Sequence, residues 1–233
     1  IKRHNLRGGQ QYPISIFIEG DRKMARRKER KDQVRQQIAQ HAARLMTESG
    51  VPDYQLAKQK AAAALGVSEG QDWPSNQELE EALETYQRLF ESVEHPKRLQ
   101  RLRRIALSAM NFLHLFQPRL VGPVLQGSAT RHAVVELHLF CDNPDQIGFF
   151  LTDHGIPFEY KERSIRANAQ EHKQVPLYCF EADEVGIELV VFNLEEWRLP
   201  PLSSTSGKPM ERATTAELER LLRDAENPGV HSA

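Results

Sequence analysis

Residues 133–140 read Ala133-Val134-Val135-Glu136-Leu137-His138-Leu139-Phe140, in which Val134, Glu136, His138 and Phe140 alternate with Val135, Leu137 and Leu139. Side chains two apart on a strand share a face, so this spacing predicts a strand with one wholly apolar face and Glu136 and His138 projecting together from the other. Just upstream, Gly127-Ser128 predicts a turn and residues 120–125 a short strand. Downstream, Asn143-Pro144 opens a helix that carries Ile147, Phe150 and Leu151 and is closed by Gly155. Three further strands are predicted at 157–165, 175–182 and 186–192, and Thr214 with Glu217 makes a capping box for a last amphipathic helix. Because the late strands lack intervening helices, the sheet is expected to be antiparallel or mixed, which disfavours a Rossmann arrangement.

The period upstream of this region is helical. Val34, Ile38, Ala42, Leu45 and Met46 recur at three and four residues until Gly50-Val51-Pro52 stops the pattern. Asp53 can cap a second helix with Tyr54, Ala57, Ala61, Ala64 and Leu65 on one face, ended by Gly66. Asn76 is the expected cap of a third helix bearing Leu79, Leu83, Tyr86, Leu89, Phe90 and Val93, and a fourth is expected over about 97–116. The fold class expected is therefore α+β, a helical half followed by a sheet-bearing half. The divisions expected are an N-terminal extension at 1–23, with translation starting at Met24, a helical region at 24–96, the sheet region at 97–200, and a loop with a closing helix at 201–233.

A chain of 233 residues with 39% hydrophobic and 27% charged residues is long enough to bury a substantial core. It has no apolar run near the roughly 18 residues of a membrane helix, and the opening lacks the order of a secretory signal. Cys141 and Cys179 lie far apart, without the spacing of a disulfide scaffold or zinc finger, so a reducing cytoplasm is the expected setting. The net charge of -1 hides a polarised chain. Residues 1–31 carry ten Lys and Arg against three acids, no acid occurs between Glu94 and Glu136, and residues 181–226 carry eleven acids against five bases. The first run suits a solvated tail or a nucleic-acid-binding arm. In the acid-free stretch, Arg101, Arg103 and Arg104 suit contact with a nucleic-acid backbone or a solvated basic face, and Arg131 stands beside the Gly127-Ser128 turn.

The residues that could carry chemistry gather around the same strand. A Gly-Ser turn offers backbone donors and a hydroxyl to phosphate oxygens. Glu136 and His138 point together, and Glu188 lies inside the apolar run Ile187 to Phe192, where an ionised carboxylate needs a charged partner, a metal or water. The same alternation also fits the solvent face of an edge strand. There is no Gly-x-x-x-x-Gly-Lys-Ser/Thr loop, and Ser128 with His132 lacks the nucleophile-elbow pattern of a hydrolase.

The Gly127-Ser128 turn, the strand with polar residues two apart, the helix opening at Pro144 and the later strand with a central acid together resemble the palm of the DNA polymerase beta-like nucleotidyltransferase superfamily, over roughly residues 97–192. The upstream stretches 41–46 and 53–58 resemble small bacterial proteins described as nucleotidyltransferases. The resemblance implies that Gly127 and Ser128, with Arg131, hold a nucleoside triphosphate. It makes Glu136 the first acid and Glu188 the third, binding Mg2+ or Mn2+ for nucleotidyl transfer to a nucleic acid, protein or small molecule. His138 stands where that superfamily has its second acid, which makes it a third metal ligand or a substitute for that acid, although imidazole is a poor magnesium ligand. The alternative it leaves open is the same fold without catalysis, binding nucleic acid or a protein partner through basic residues.

Overall fold

The computed structural model describes residues 14–51, 53–68, 73–168 and 170–226, with side chains described from Arg27 onward. Three helices make the first half: α1 (Ile14–Ser49), α2 (Tyr54–Ala64) and α3 (Asn76–Phe90). Ile38, Ala42, Ala43 and Met46 of α1 pack with Ala57, Ala61, Leu79 and Leu83 into a core of their own. The alanines let the helix axes approach closely. Asp53 caps α2 by accepting from the Leu56 N–H at 2.7 Å. At α3 the cap is Ser75 rather than Asn76: its hydroxyl accepts from the Glu78 N–H and the Glu78 carboxylate accepts from the Ser75 N–H, a reciprocal box. Asn76 instead accepts from Lys58 Nζ and donates to the Ser204 carbonyl, both at 2.8 Å.

The second half begins with α4 (Glu94–Phe112), which starts and stops earlier than its sequence period implied and is followed by a 3-10 turn at His114–Phe116. Strand β1 (Arg119–Val121) is also shorter than expected, because Gly122-Pro123 starts the short helix α5 (Gly122–Gln126), with proline in its first turn. Then follow β2 (Val135–Phe140), α6 (Asp145–Asp153), β3 (Glu159–Arg166), β4 (His172–Ala182), β5 (Val185–Phe192) and α7 (Thr215–Glu226), whose Thr214–Glu217 box is formed as expected. The expected boundary at Met24 falls inside α1. Residues 1–13 and 227–233 of the expected terminal segments lie outside the described residues.

The sheet is mixed, in the order β1-β2-β5-β4-β3, with β2 and β5 parallel and the other three pairs antiparallel. Its apolar face carries Val135, Leu137, Leu139, Ile187, Leu189 and Val191 into the main core against α4, α6 and α7. The opposite face carries Glu136, His138 and Glu188, and then Phe140, Val190 and Phe192, which form a smaller cluster with Val175 and Leu177. The period-two alternation of β2 therefore separates a packing face from a polar one. The two halves meet where Gly50, at a φ of +66°, ends α1: a Cβ there would lie 2.7 Å from the His132 ring, so glycine answers both the left-handed turn and the close approach.

Candidate functional site

Glu136 and Glu188 are direct partners in the parallel β2/β5 register and so present their side chains side by side. Between them lies Arg163, from the middle of β3. Its Nη1 is 3.3 Å from Glu136 Oε2 and its Nη2 is 2.5 Å from Glu188 Oε2. One guanidinium thus spans both acids with its two amino groups, the forked geometry in which arginine surpasses lysine. Side-chain exposure is 21% for Glu136, 23% for Glu188 and 29% for Arg163, so the network is mostly withdrawn from water.

His138 is 1% exposed and both ring nitrogens are engaged. Arg212 Nε donates to Nδ1 at 2.9 Å, which leaves the ring hydrogen on Nε2, directed at Glu136 Oε1 3.5 Å away. Burial pushes the His138 pKa below its ordinary value, and Glu136 only partly opposes this, so the ring is neutral. For Glu136 burial acts to raise the pKa, but His138 and Arg163 outweigh it and hold the carboxyl below its usual range. Arg212 lies over the Phe140 and Phe192 rings at 5.0 and 4.9 Å and donates to the Glu196 and Trp197 carbonyls, and burial brings its pKa down to about 10.

Glu136, His138 and Arg163 floor a cavity of about 580 Å3, walled also by Arg166 and His172 from the β3–β4 hairpin, by residues 201–205, and by Tyr54 from α2. The roof is tied to the helical half through the Asn76–Ser204 bond. The Tyr54 hydroxyl is bonded to Glu80.

The Gly127-Ser128 turn is not part of this cavity. Gly127 adopts φ +93° as the C-terminal cap of α5 and lines a separate recess with Gln87, Glu91 and His95. Ser128 is 1% exposed, its carbonyl accepts from Gln87 of α3 at 3.0 Å, and its buried hydroxyl has no hydrogen-bond partner. Arg131 reaches Glu91 at 3.3 Å. Of the basic residues on α4, Arg103 donates to the Val124 and Leu125 carbonyls at the end of α5, Arg101 donates to the Asp183 carbonyl, and Arg104 pairs with Glu226. The structure therefore brings together Glu136, His138 and Glu188 but sets Gly127, Ser128, Arg131 and the α4 arginines apart from them. Cys141 and Cys179 are both free thiols, and Cys141 donates to the Asn143 carbonyl.

No family model, no curated protein and no solved structure matches this chain. Among the described residues, no three His, Cys, Asp or Glu side chains are grouped to hold a metal ion. At Glu136 the neighbouring donors are already engaged: His138 Nδ1 accepts from Arg212, and the Arg163 guanidinium pairs with both carboxylates. In this arrangement the residues fit an arginine, not a metal. The two residues that sequence reading missed are Arg163 and Arg212. Arg163 sits in an alternating polar strand, and Arg212 lies in a loop 74 positions from the ring it holds; neither carries a local signal.

The two lowered pKa values set the sign of a pH dependence. Below the ordinary histidine value of 6.5, the unfolded chain takes up a proton that the folded chain resists at His138. Below the ordinary carboxyl value of 4.5 the same holds at Glu136. Stability is thus present above these values and is lost on acidification, at up to about 1.4 kcal/mol per pH unit for each proton. Denaturant melts from pH 7.5 to 5 are expected to fall in midpoint below pH 6.5. The fall is expected to become shallower in His138→Asn, whatever that variant's absolute stability, with His95, whose pKa burial also lowers, supplying the remainder; an unchanged slope would place the titration elsewhere.

Proposed function

We propose that this chain is a nucleotidyltransferase-like protein that does not transfer nucleotides, a palm whose acid pair has become structural and which acts by binding a macromolecular partner. The observation that carries this reading is Arg163, paired with both Glu136 and Glu188 where a catalytic ion would have to stand. The engaged nitrogens of His138 and the burial of Ser128 beneath α3 support it from two other sides. One guanidinium shared by two carboxylates beside a neutral imidazole gives both acids a counter-charge within the fold and halves their charge.

One specific observation favours the second reading, binding of a nucleoside triphosphate with Mg2+ or Mn2+. The two acids share a register on parallel strands and Glu136 opens into a cavity of about 580 Å3, room for a nucleotide. Calorimetric titration with each nucleoside triphosphate, in chelator and then in Mg2+ or Mn2+, separates the two. No saturable binding under either condition is expected. Saturable binding that requires the metal would establish the nucleotide-binding reading and overturn the first.

A further inference from the structure

The remaining basic surface lies on α1, and it begins where the helical bundle ends. Arg35 of α1 is 3.7 Å from Glu78 in the first turn of α3, and the Glu48 carboxylate near the end of α1 accepts from Tyr86 near the end of α3. The two helices therefore run in the same direction. Because α3 starts at Asn76, the part of α1 before Val34, its first residue against the bundle core, runs past the bundle. At 1.5 Å per residue from Ile14 this is about 30 Å of helix.

Along α1 the character of the surface changes at that point. Ile38, Ala39, Ala42, Ala43 and Met46 are buried against α2 and α3, whereas Arg27, Lys28 and Arg30 are exposed and make no hydrogen bond or ion pair among the described residues. At about 100° per residue these three cations spread over roughly 160° of the helix circumference. Residues 27–33 carry no apolar side chain, so this stretch of α1 offers nothing with which to continue a helical bundle.

We infer that the projecting part of α1 is a DNA-binding helix that lies in the major groove of a duplex, with Arg27, Lys28 and Arg30 against phosphates. The inference rests on the binding-module reading above and names its partner. A helix of about 10–12 Å diameter matches a groove about 12 Å wide, and phosphates border that groove on both sides. Cations spread around more than one side of a helix can meet both borders, whereas an acidic peptide would engage a single face. The α4 arginines, each already bonded within the fold, are not required.

The test uses the full chain and a fluorescent 20-base-pair DNA duplex, with anisotropy read between 50 and 200 mM salt. Saturable binding is expected, with log affinity falling linearly with log salt. The triple variant Arg27→Gln, Lys28→Gln, Arg30→Gln is expected to bind at least about tenfold more weakly at 50 mM and to lose about 2.7 from that slope, roughly 0.9 for each released phosphate contact. Glutamine is a good helix former and these positions lie outside both cores, so unchanged circular dichroism and melting are expected. The double variant Arg101→Gln, Arg104→Gln is expected to bind as the wild type does. Absence of saturable binding by the wild type, a slope unchanged in the triple variant, or equal displacement of the duplex by polyglutamate would each overturn the inference. None of these results alters the outcome of the nucleotide titration, so the two readings fail separately.

Discussion

Replacing Arg163 with methionine is expected to destabilise the protein by about 2–4 kcal/mol near neutral pH, because it strands two carboxylates that are each about four-fifths withdrawn from water. Most of that loss comes from leaving Glu136 and Glu188 side by side without a counter-charge, rather than from the attraction itself. The triple variant Arg163→Met, Glu136→Gln, Glu188→Gln removes all three charges and is therefore expected to recover most of the stability. The sign with pH follows. In wild type the Glu136 carboxyl is held below its usual range by His138 and Arg163, so the stabilisation is present above about pH 4.5 and lost below it. The penalty of Arg163→Met is accordingly expected to shrink as pH falls through 4.5, where the guanidinium no longer has an ionised Glu136 to hold. Denaturant melts of the three proteins at pH 7 and pH 4 check this. A single variant as stable as wild type at pH 7 would mean that the acids are not held by the guanidinium.

The other large effect is expected at Leu189. This side chain is fully buried, on the strand flanked by β2 and β4, and points into the main core with Leu137, Leu139 and Ile147. Leu189→Ala deletes most of its apolar contact and leaves a cavity that neighbours on two strands and the covering helices cannot collapse to fill. A cost of about 3–4 kcal/mol is expected. For a chain of this size that corresponds to a fall of about 6–16 °C in Tm, measurable by calorimetry. Because the helical half has its own core of Ile38, Leu79 and Leu83, its protection from hydrogen exchange is expected to fall less than that of β2 and β5. Uniform loss across both halves would show that they unfold as one unit.

How far the fold was legible in the sequence depends on how local each signal is. The alternation in β2, the Asp53 cap, the glycine stops and the Thr214–Glu217 box all act within a few residues, and the structure places them as the sequence implies. Ser75-Asn76-Gln77-Glu78 held an equally local capping box, and reading Asn76 as the cap overlooked it. Pro123 likewise marked the end of β1, since proline has no N–H for a ladder and suits the first turn of a helix. These two differences were recoverable from the sequence.

The site is less legible because its chemistry is assembled from distant segments. That Glu136 and Glu188 share a face follows from two apolar alternations, and their direct opposition needs only that β5 pair with β2. That Arg163 comes between them depends on β4 lying between β3 and β5, a topological fact to which the polar strand Glu159–Arg166 gives no clue. The protonation of His138 is set by Arg212 from a loop, and the burial of Ser128 by Gln87 from the helical half. A Gly-Ser pair reads as an exposed turn until the helix that covers it is placed.

The most direct test of an acid pair that has become structural is a crystal structure of the protein soaked with Mn2+ and a non-hydrolysable nucleoside triphosphate analogue. Arg163 is expected to remain between Glu136 and Glu188, with the Arg212–His138 bond intact and no manganese between the carboxylates. Manganese bridging Glu136 and Glu188, with Arg163 displaced onto the phosphates, would contradict it.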